Sequence, residues 1–131
     1  KDAAGDLSQT AQLMHLANGC IDVYSGNDDQ IIPILSLGGI GIISVLANIA
    51  PRQIHEMCME YLNGNWEKAV KMQLDAIPLI QDLFCEVNPI PVKAALNMMG
   101  KSVGELRLPM TTLEEDNRNL LEKSLKDYGL L

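Results

Sequence analysis

The first regular spacing of apolar residues along the chain predicts a helix over residues 7–17. Leu7, Ala11 and Met14 recur every three to four positions, which places them near one face of a helix. The dipeptide Asn18-Gly19 follows directly, and both residue types tolerate the left-handed conformation that ends helices. We therefore expect the helix to end at this point.

The next segments alternate between strand and helix patterns. Residues 20–26, CIDVYSG, form a short β-favouring run that ends in Ser-Gly. Asn27 and Asp28 can cap a helix over residues 30–37, which the glycines at 38 and 39 terminate. Pro33 fits this helix only in its first turn, where no amide partner is needed. The spacing predicts a strand, a turn and a short helix.

Residues 37–51, LGGIGIISVLANIAP, contain no charged residue. A strand that is buried on both faces is continuously apolar, whereas a strand with one wet face alternates. The run from Ile42 through Ile43 and Ser44 to Val45 therefore predicts a central parallel strand. Asn48 and Pro51 begin a further helix that ends at Asn63-Gly64. Strand and helix units of this kind indicate a parallel α/β sheet.

From residue 65 onward the pattern is helical and no further strand is predicted. Asn65 can cap a long helix, and Pro78 inside it predicts a kink or break near Leu74. A turn at NPIP and a short helix ending at Gly100 follow. Thr112 and Glu115 form a capping box that opens a last helix. The apolar stripe of that helix is Leu113, Leu120, Leu121, Leu125 and Tyr128. We divide the chain into βα units at residues 1–64 and a helical region at 65–131.

Composition narrows the function classes. The chain has 131 residues, a net charge of −7 and 47% apolar residues, which suits one core. Since no basic run occurs, a nucleic-acid partner is not expected. The longest apolar stretch is too short for a membrane span, so no membrane partner is expected. Three scattered cysteines and two isolated histidines indicate neither a disulfide framework nor a metal site, and favour a reducing cytosol.

Six motifs carry a family resemblance over essentially the whole chain. They are KDAAGDL at 1–7, YSGNDD at 24–29, LGGIGIISVLANIAP at 37–51, NPIPVKAAL at 88–96, RLPM at 107–110 and the final GLL. In this order they resemble the carboxyl-terminal half of the dihydrodipicolinate synthase family, which belongs to the class I, Schiff-base-forming aldolases that include N-acetylneuraminate lyase. The resemblance implies the C-terminal part of a (β/α)8 TIM barrel followed by a helical appendage. A barrel takes about 250 residues, so a missing amino-terminal half is expected as a partner.

The resemblance also implies a reaction and its residues. Family members of this branch condense pyruvate with L-aspartate 4-semialdehyde on the route to diaminopimelate and lysine, in the cytoplasm and without a cofactor or metal. The motif places the Schiff-base lysine at Lys1, while Gly26 and Ile43 would contribute backbone to the pocket around the keto acid. A lysine amine must be neutral to attack a carbonyl, and burial favours the neutral form. Relatives are commonly homotetramers, with Leu7, Ser8 and Leu37 near one subunit contact.

Two alternatives stay open at the level of sequence. One is another pyruvate-dependent aldolase of the same family, such as N-acetylneuraminate lyase or a keto-deoxy-sugar-acid aldolase. Asp28 and Asp29 favour this alternative, because acids in this region help to bind the sugar chain in the sialic-acid lyases. From pattern alone, however, these two residues are typical helix-capping carboxylates. The other alternative is a non-catalytic fragment that associates through its open sheet edges.

Overall fold

A computed structural model describes all 131 residues, Lys1 to Leu131, as six helices and two short strands. The elements are α1 (Leu7–Ala17), β1 (Tyr24–Ser25), α2 (Ile31–Ser36), β2 (Gly41–Ile42), α3 (Pro51–Leu62), α4 (Trp66–Asp82), α5 (Ile90–Met98) and α6 (Glu115–Asp127), with 3₁₀ turns at Asp28–Gln30 and Leu46–Asn48. They form two compact units. Unit 1 comprises Lys1–Ser44 and Arg52–Leu74, and unit 2 comprises Val45–Pro51 and Asp75–Leu131.

Unit 1 is built around a narrow parallel sheet. Tyr24 of β1 pairs with Gly41 of β2, and Asp2 forms a parallel bridge to Ser25 on the other side of β1. Helix α1 connects Asp2 to β1, and α2 connects β1 to β2. The predicted parallel βα arrangement is confirmed. Its buried apolar side chains come from the residue before β1 and from α2, α3 and α4: Val23, Ile31, Ile32, Ile34, Leu35, Ile54, Met57 and Ala69.

The ends of α1 agree with the sequence prediction. Asn18 adopts φ 44°, and its backbone N–H donates to the Met14 carbonyl. At the other end, the Asp6 carboxylate accepts hydrogen bonds from the amides of Ser8 and Gln9 at 2.9 and 3.2 Å. An aspartate at this position satisfies amides that the first helical turn leaves unpaired. Local residues therefore determine both ends of α1.

The strand predicted from Ile42 to Val45 is shorter than expected. β2 ends at Ile42, Ile43 is 50% exposed, and the backbone at Val45 is already helical with φ −77° and ψ −46°. Leu46 is fully buried in the 3₁₀ turn that follows. The apolar run therefore forms two different elements, the end of β2 and a buried 3₁₀ turn. The sequence alone predicted one strand, since a continuous apolar stretch does not reveal where the backbone changes conformation.

Of the kink or break predicted in the long helix, the break does not occur, because α4 runs without interruption from Trp66 to Asp82 with Pro78 inside it. Proline removes the amide that would bond to the carbonyl four residues earlier, that of Leu74. Both Leu74 and Pro78 are exposed, so water can satisfy this carbonyl. The break predicted from the proline is therefore wrong for this exposed face.

Unit 2 packs α5 against α6 and against the 3₁₀ turn Leu46–Asn48. Leu121 and Leu125 of α6 are fully buried, as the predicted stripe requires, while Leu120 is 45% exposed. The Ser124 hydroxyl also donates to the Asp82 carboxylate at the end of α4. As predicted, no strand occurs after residue 65. None of the helices has the length and apolar content needed to cross a bilayer.

The capping box predicted at Thr112 and Glu115 is wrong. Helix α6 begins at Glu115, with Glu114 as its N-cap residue and no capping bond from that side chain. Instead, Glu86 Oε1 accepts hydrogen bonds from the Glu114 amide at 2.9 Å and from Asn117 Nδ2 at 2.8 Å. The residue that satisfies the helix start therefore lies 28 positions earlier in the chain.

We predict that Glu86→Ala lowers the free energy of unfolding by about 1–2 kcal/mol, the usual effect of removing a helix cap. Urea unfolding followed by circular dichroism measures this loss. Glu86→Gln is the matched control, because its amide oxygen can still accept from Glu114 and it should retain most of the stability. Equal losses in the two variants would contradict the assigned role of the oxygen acceptor.

Candidate functional site

The structure brings the three residues predicted for the site to one end of the small sheet. Asp2 donates its amide to the Tyr24 carbonyl at 2.9 Å, and the Gly26 amide donates to the Asp2 carbonyl at 2.6 Å. The Ile43 amide donates to the Ser25 carbonyl at 2.9 Å. Lys1 directly precedes Asp2, so Lys1, Gly26 and Ile43 lie on three adjacent parallel segments. In parallel α/β sheets, ligands bind at the carboxyl ends of the strands, which is where Gly26 and Ile43 lie.

Close backbone packing explains the glycine at position 26. A Cβ atom on Gly26 would lie 2.5 Å from Ala3 Cβ and 2.8 Å from the Asp2 carbonyl oxygen. Any side chain at this position would therefore push β1 away from the segment that carries Lys1. The Lys1 side chain itself is exposed, and Ile43 exposes half of its surface on the neighbouring segment.

Thr10 fixes the backbone beside Lys1. Its side chain is 1% exposed, and Thr10 Oγ1 donates to Asp2 Oδ2 at 2.6 Å. The other Asp2 oxygen accepts from the Ala4 amide at 3.0 Å. The Thr10 hydrogen bond is the main cause that lowers the pKa of the Asp2 carboxyl below its ordinary value of 3.8, followed by the Ala4 amide. Helix α1 thereby holds the residue that follows Lys1.

Asp28 is buried, with only 2% of its surface exposed. The Ser44 hydroxyl donates to Asp28 Oδ1, which links the loop after β2 to the loop after β1. Gln73 of α4 is also buried, and its Nε2 donates to the Asp28 backbone carbonyl at 2.8 Å. The Asp29 side chain is exposed instead. The sequence analysis did not distinguish Asp28 from Asp29, whereas in the structure the first is buried and the second is exposed.

Sequence patterns did not identify Thr10 or Gln73 as part of this region, whereas Ser44 directly follows Ile43, which the family resemblance assigns to the pocket. Gln73 offered one usable signal, since it is a polar residue at helical spacing from the apolar residues Ala69, Val70, Ile77 and Ile80 of the long helix. Buried polar side chains are nearly always hydrogen-bonded, so such a position indicates a partner in the core. Nothing in the local sequence indicates that Thr10 meets Asp2 or that Ser44 meets Asp28.

The chain brings together no group of three or more His, Cys, Asp or Glu side chains that could hold a metal ion. Its three cysteines are free, and burial raises the pKa of the Cys58 thiol. A raised pKa disfavours the thiolate, which is the nucleophilic form. Cys58 therefore lacks the properties of an activated nucleophile.

We predict that Thr10→Val lowers the free energy of unfolding at pH 7 by about 1–3 kcal/mol, because a hydrogen bond to a carboxylate is lost. The folded pKa of Asp2 is depressed, so this contribution is fully present above pH 3.8 and is lost as the pH falls through the folded value. Urea titrations of both proteins across this range measure the difference. Thr10→Ser, which keeps the hydroxyl, is the control, and a pH-independent difference would contradict the role of Asp2.

Comparison with known proteins places this geometry in a family. The model of the dihydrodipicolinate synthetase family matches residues 1–128. A 4-hydroxy-tetrahydrodipicolinate synthase from Clostridium tetani is 56% identical over 131 residues, a match that covers the whole chain and 45% of that protein. The chain therefore spans about 45% of the length of this curated relative.

Solved structures agree with this match. A dihydrodipicolinate synthase from Thermotoga maritima superposes with a TM-score of 0.94 at 46% identity, covering all of this chain and 45% of the other. The chloride-inhibited dihydrodipicolinate synthase from Acinetobacter baumannii, complexed with pyruvate, gives a TM-score of 0.94 at 41% identity with the same coverage. The chain thus belongs to the dihydrodipicolinate synthetase family.

Proposed function

We propose that this chain is the carboxyl-terminal part of a lyase that condenses pyruvate with L-aspartate 4-semialdehyde to 4-hydroxy-tetrahydrodipicolinate. One observation carries the proposal: Lys1 and Gly26 lie on neighbouring parallel segments, joined by the hydrogen bond from the Gly26 amide to the Asp2 carbonyl. The name of the Clostridium tetani relative and the pyruvate complex of the Acinetobacter baumannii enzyme support it. The product belongs to the route to diaminopimelate and lysine.

We infer that β1 and β2 belong to a (β/α)8 barrel whose other strands lie in the rest of a longer polypeptide. Parallel sheets are normally covered on both faces. Here, however, Ile21, Tyr24, Ile40 and Ile43 each expose 36–53% of their surface around the short sheet. The missing amino-terminal half would supply the cover. In barrels of this kind the active site lies at the carboxyl ends of the strands, which agrees with the location of Gly26 and Ile43.

In the proposed reaction the Lys1 amine attacks the ketone carbon of pyruvate, and water leaves to give an iminium. The iminium nitrogen accepts electrons when the pyruvate methyl group loses a proton, which forms an enamine. The enamine carbon then attacks the aldehyde, whose oxygen becomes a hydroxyl, and this step regenerates the iminium. The amine of aspartate semialdehyde attacks the iminium carbon, which closes the ring and releases the Lys1 amine, so the scheme requires no cofactor or metal. The family resemblance implies that the groups that carry protons lie in the amino-terminal half.

Gly26 and Ile43 have the role of shaping the pocket with their backbones. Gly26 permits contact between β1 and the Lys1 segment, because its Cα approaches Ala3 without a side chain. The amide of Ile43 already donates to the Ser25 carbonyl, so the proposal assigns the Ile43 carbonyl rather than its amide to the keto-acid pocket. Backbone groups in such fixed positions bind a substrate without the entropy cost of ordering side chains.

The burial of Asp28 favours the synthase over the sialic-acid lyase alternative. A carboxylate that binds sugar hydroxyls must be accessible, whereas Asp28 is 2% exposed and accepts the Ser44 hydroxyl. Only Asp29 presents an exposed carboxylate in this region. The relative from Clostridium tetani also bears the synthase name. We therefore assign aspartate semialdehyde as the second substrate.

We further infer a homotetramer in the cytoplasm. Leu7 at the start of α1 and Leu37 at the end of α2 each expose 38% of their surface, and Ser8 is exposed beside Leu7. These residues offer an apolar surface on unit 1 for a second copy of the protein.

We predict that pyruvate and borohydride modify Lys1 in the full-length polypeptide, since reduction traps the iminium as a stable amine. Peptide mass spectrometry locates the adduct. Lys1→Ala should abolish the adduct and lower kcat by roughly a thousandfold or more. Lys101→Ala, at an exposed lysine in unit 2, is the control and should behave as wild type. Full activity of Lys1→Ala would favour a non-catalytic role for this segment.

We also predict that the full-length polypeptide consumes pyruvate with L-aspartate 4-semialdehyde at least roughly a hundredfold more efficiently than with N-acetylmannosamine. A site built for one set of polar groups rejects a substrate that leaves them unpaired. Measurement of kcat/KM for both aldehydes tests this ratio. A preference for the sugar would replace the synthase assignment by the lyase alternative and would leave the Schiff-base chemistry in place.

A further inference from the structure

The two loops that carry Gly26 and Ile43 are joined by side chains beyond the end of the sheet. The last backbone bond between them runs from the Ile43 amide to the Ser25 carbonyl. One residue further along the second loop, the Ser44 hydroxyl donates to Asp28 Oδ1. This bond crosses from one loop to the other at a point that the strand pairing no longer holds.

Gln73 anchors the same connection from α4. Its Nε2 donates to the Asp28 carbonyl at 2.8 Å, and its Oε1 accepts from the Ile32 amide at 3.3 Å. Both halves of the buried amide are thus used, one on the 3₁₀ turn and one on the first turn of α2. A buried amide held at both ends fixes the backbone on which Asp28 lies.

Burial of a carboxylate is costly unless hydrogen bonds compensate it. An apolar side chain would fill the position of Asp28 at a lower cost in solvation, but it could not bond to Ser44. The polar pair therefore contributes geometry rather than core stability. Asp28 lies two residues after Gly26, and Ser44 lies one residue after Ile43. The pair is therefore placed to set the distance between the two loops that carry Gly26 and Ile43.

We propose that Asp28, Ser44 and Gln73 are positioning residues for the keto-acid pocket. The hydrogen bond between Ser44 and Asp28 sets the distance between the loops that carry Gly26 and Ile43, and Gln73 holds the Asp28 backbone in place. In this role the three side chains act through the backbones of Gly26 and Ile43 rather than on the reacting atoms. This inference rests on the proposed function, because it assumes that Gly26 and Ile43 line the pyruvate site.

The test compares steady-state kinetics of the full-length polypeptide and its variants. Ser44→Ala is expected to raise the KM for pyruvate about 10-fold, the effect of losing one hydrogen bond to a charged group. Ser44→Thr keeps the hydroxyl and is expected to restore KM to within about threefold of wild type. Ser36→Ala is the matched control, since the exposed Ser36 hydroxyl bonds only locally to the Pro33 carbonyl at 2.6 Å, and its KM should not change.

Gln73→Met gives a second and independent measurement, because it removes both bonds of the amide at similar volume. We expect it to raise the pyruvate KM about threefold to tenfold. A positioning role requires the KM for pyruvate to change more than kcat. Variants that lose thermal stability while their KM stays at the wild-type value would overturn the inference and leave these residues a structural role only.

Failure of this inference is distinguishable from failure of the proposed function. Unchanged pyruvate KM in Ser44→Ala and Gln73→Met, together with a normal borohydride adduct on Lys1, overturns the positioning role alone. If wild-type protein forms no adduct with pyruvate, the proposed function is overturned, and the positioning role is overturned with it.

Discussion

The close approach of three parallel backbone segments is the constraint on which the rest of unit 1 depends. The segment at Asp2, β1 and β2 are joined by short runs of backbone hydrogen bonds, each only a few residues long. This approach is feasible only with glycine at position 26, where a Cβ would collide with Ala3. The Lys1 segment and β1 can therefore lie this close together only because Gly26 has no side chain.

So short a sheet cannot be held by its own ladder, since isolated strand pairs are marginal in water. Helices instead fix the segments from outside through buried polar side chains. Thr10 of α1 holds Asp2, and Gln73 of α4 holds Asp28. Thr10 is the one buried residue of α1 and Gln73 is buried on α4, and each bonds to the residue at or near a strand end. The positions of the loops therefore depend on where helices α1 and α4 pack.

Features that depend on neighbouring residues were predictable from the sequence. Asn18-Gly19 marks the end of α1 because the left-handed conformation is a local preference, and the same holds for the turn at Gly64. Features that depend on distant residues were not. Glu86 determines where α6 begins although it lies far earlier in the chain. The early end of β2 likewise depends on tertiary structure, because the apolar residues from Ile42 to Leu46 suit both a strand and a buried turn.

In the candidate site, too, local sequence patterns were not sufficient to identify the residues. By pattern alone Lys1 is an ordinary charged residue and Ile43 an ordinary core residue, so only the family motifs single them out. The family resemblance already implies that these residues share one pocket, and the structure adds the backbone hydrogen bonds by which the three segments meet. It also shows that Ile43 is half exposed, a surface that the proposed amino-terminal half would cover.

Asp28 and Asp29 show why burial decides between related activities where sequence does not. The two acids are adjacent and identical in type, and either one could bind a sugar hydroxyl if it were exposed. Asp28 is only 2% exposed, its carboxylate accepts the Ser44 hydroxyl and its backbone carbonyl accepts the Gln73 amide, so a sugar could reach this carboxylate only if the two loops separated. A change of substrate toward sugars would therefore need more than a new pocket residue, because it would also have to replace the bond that holds the two loops together.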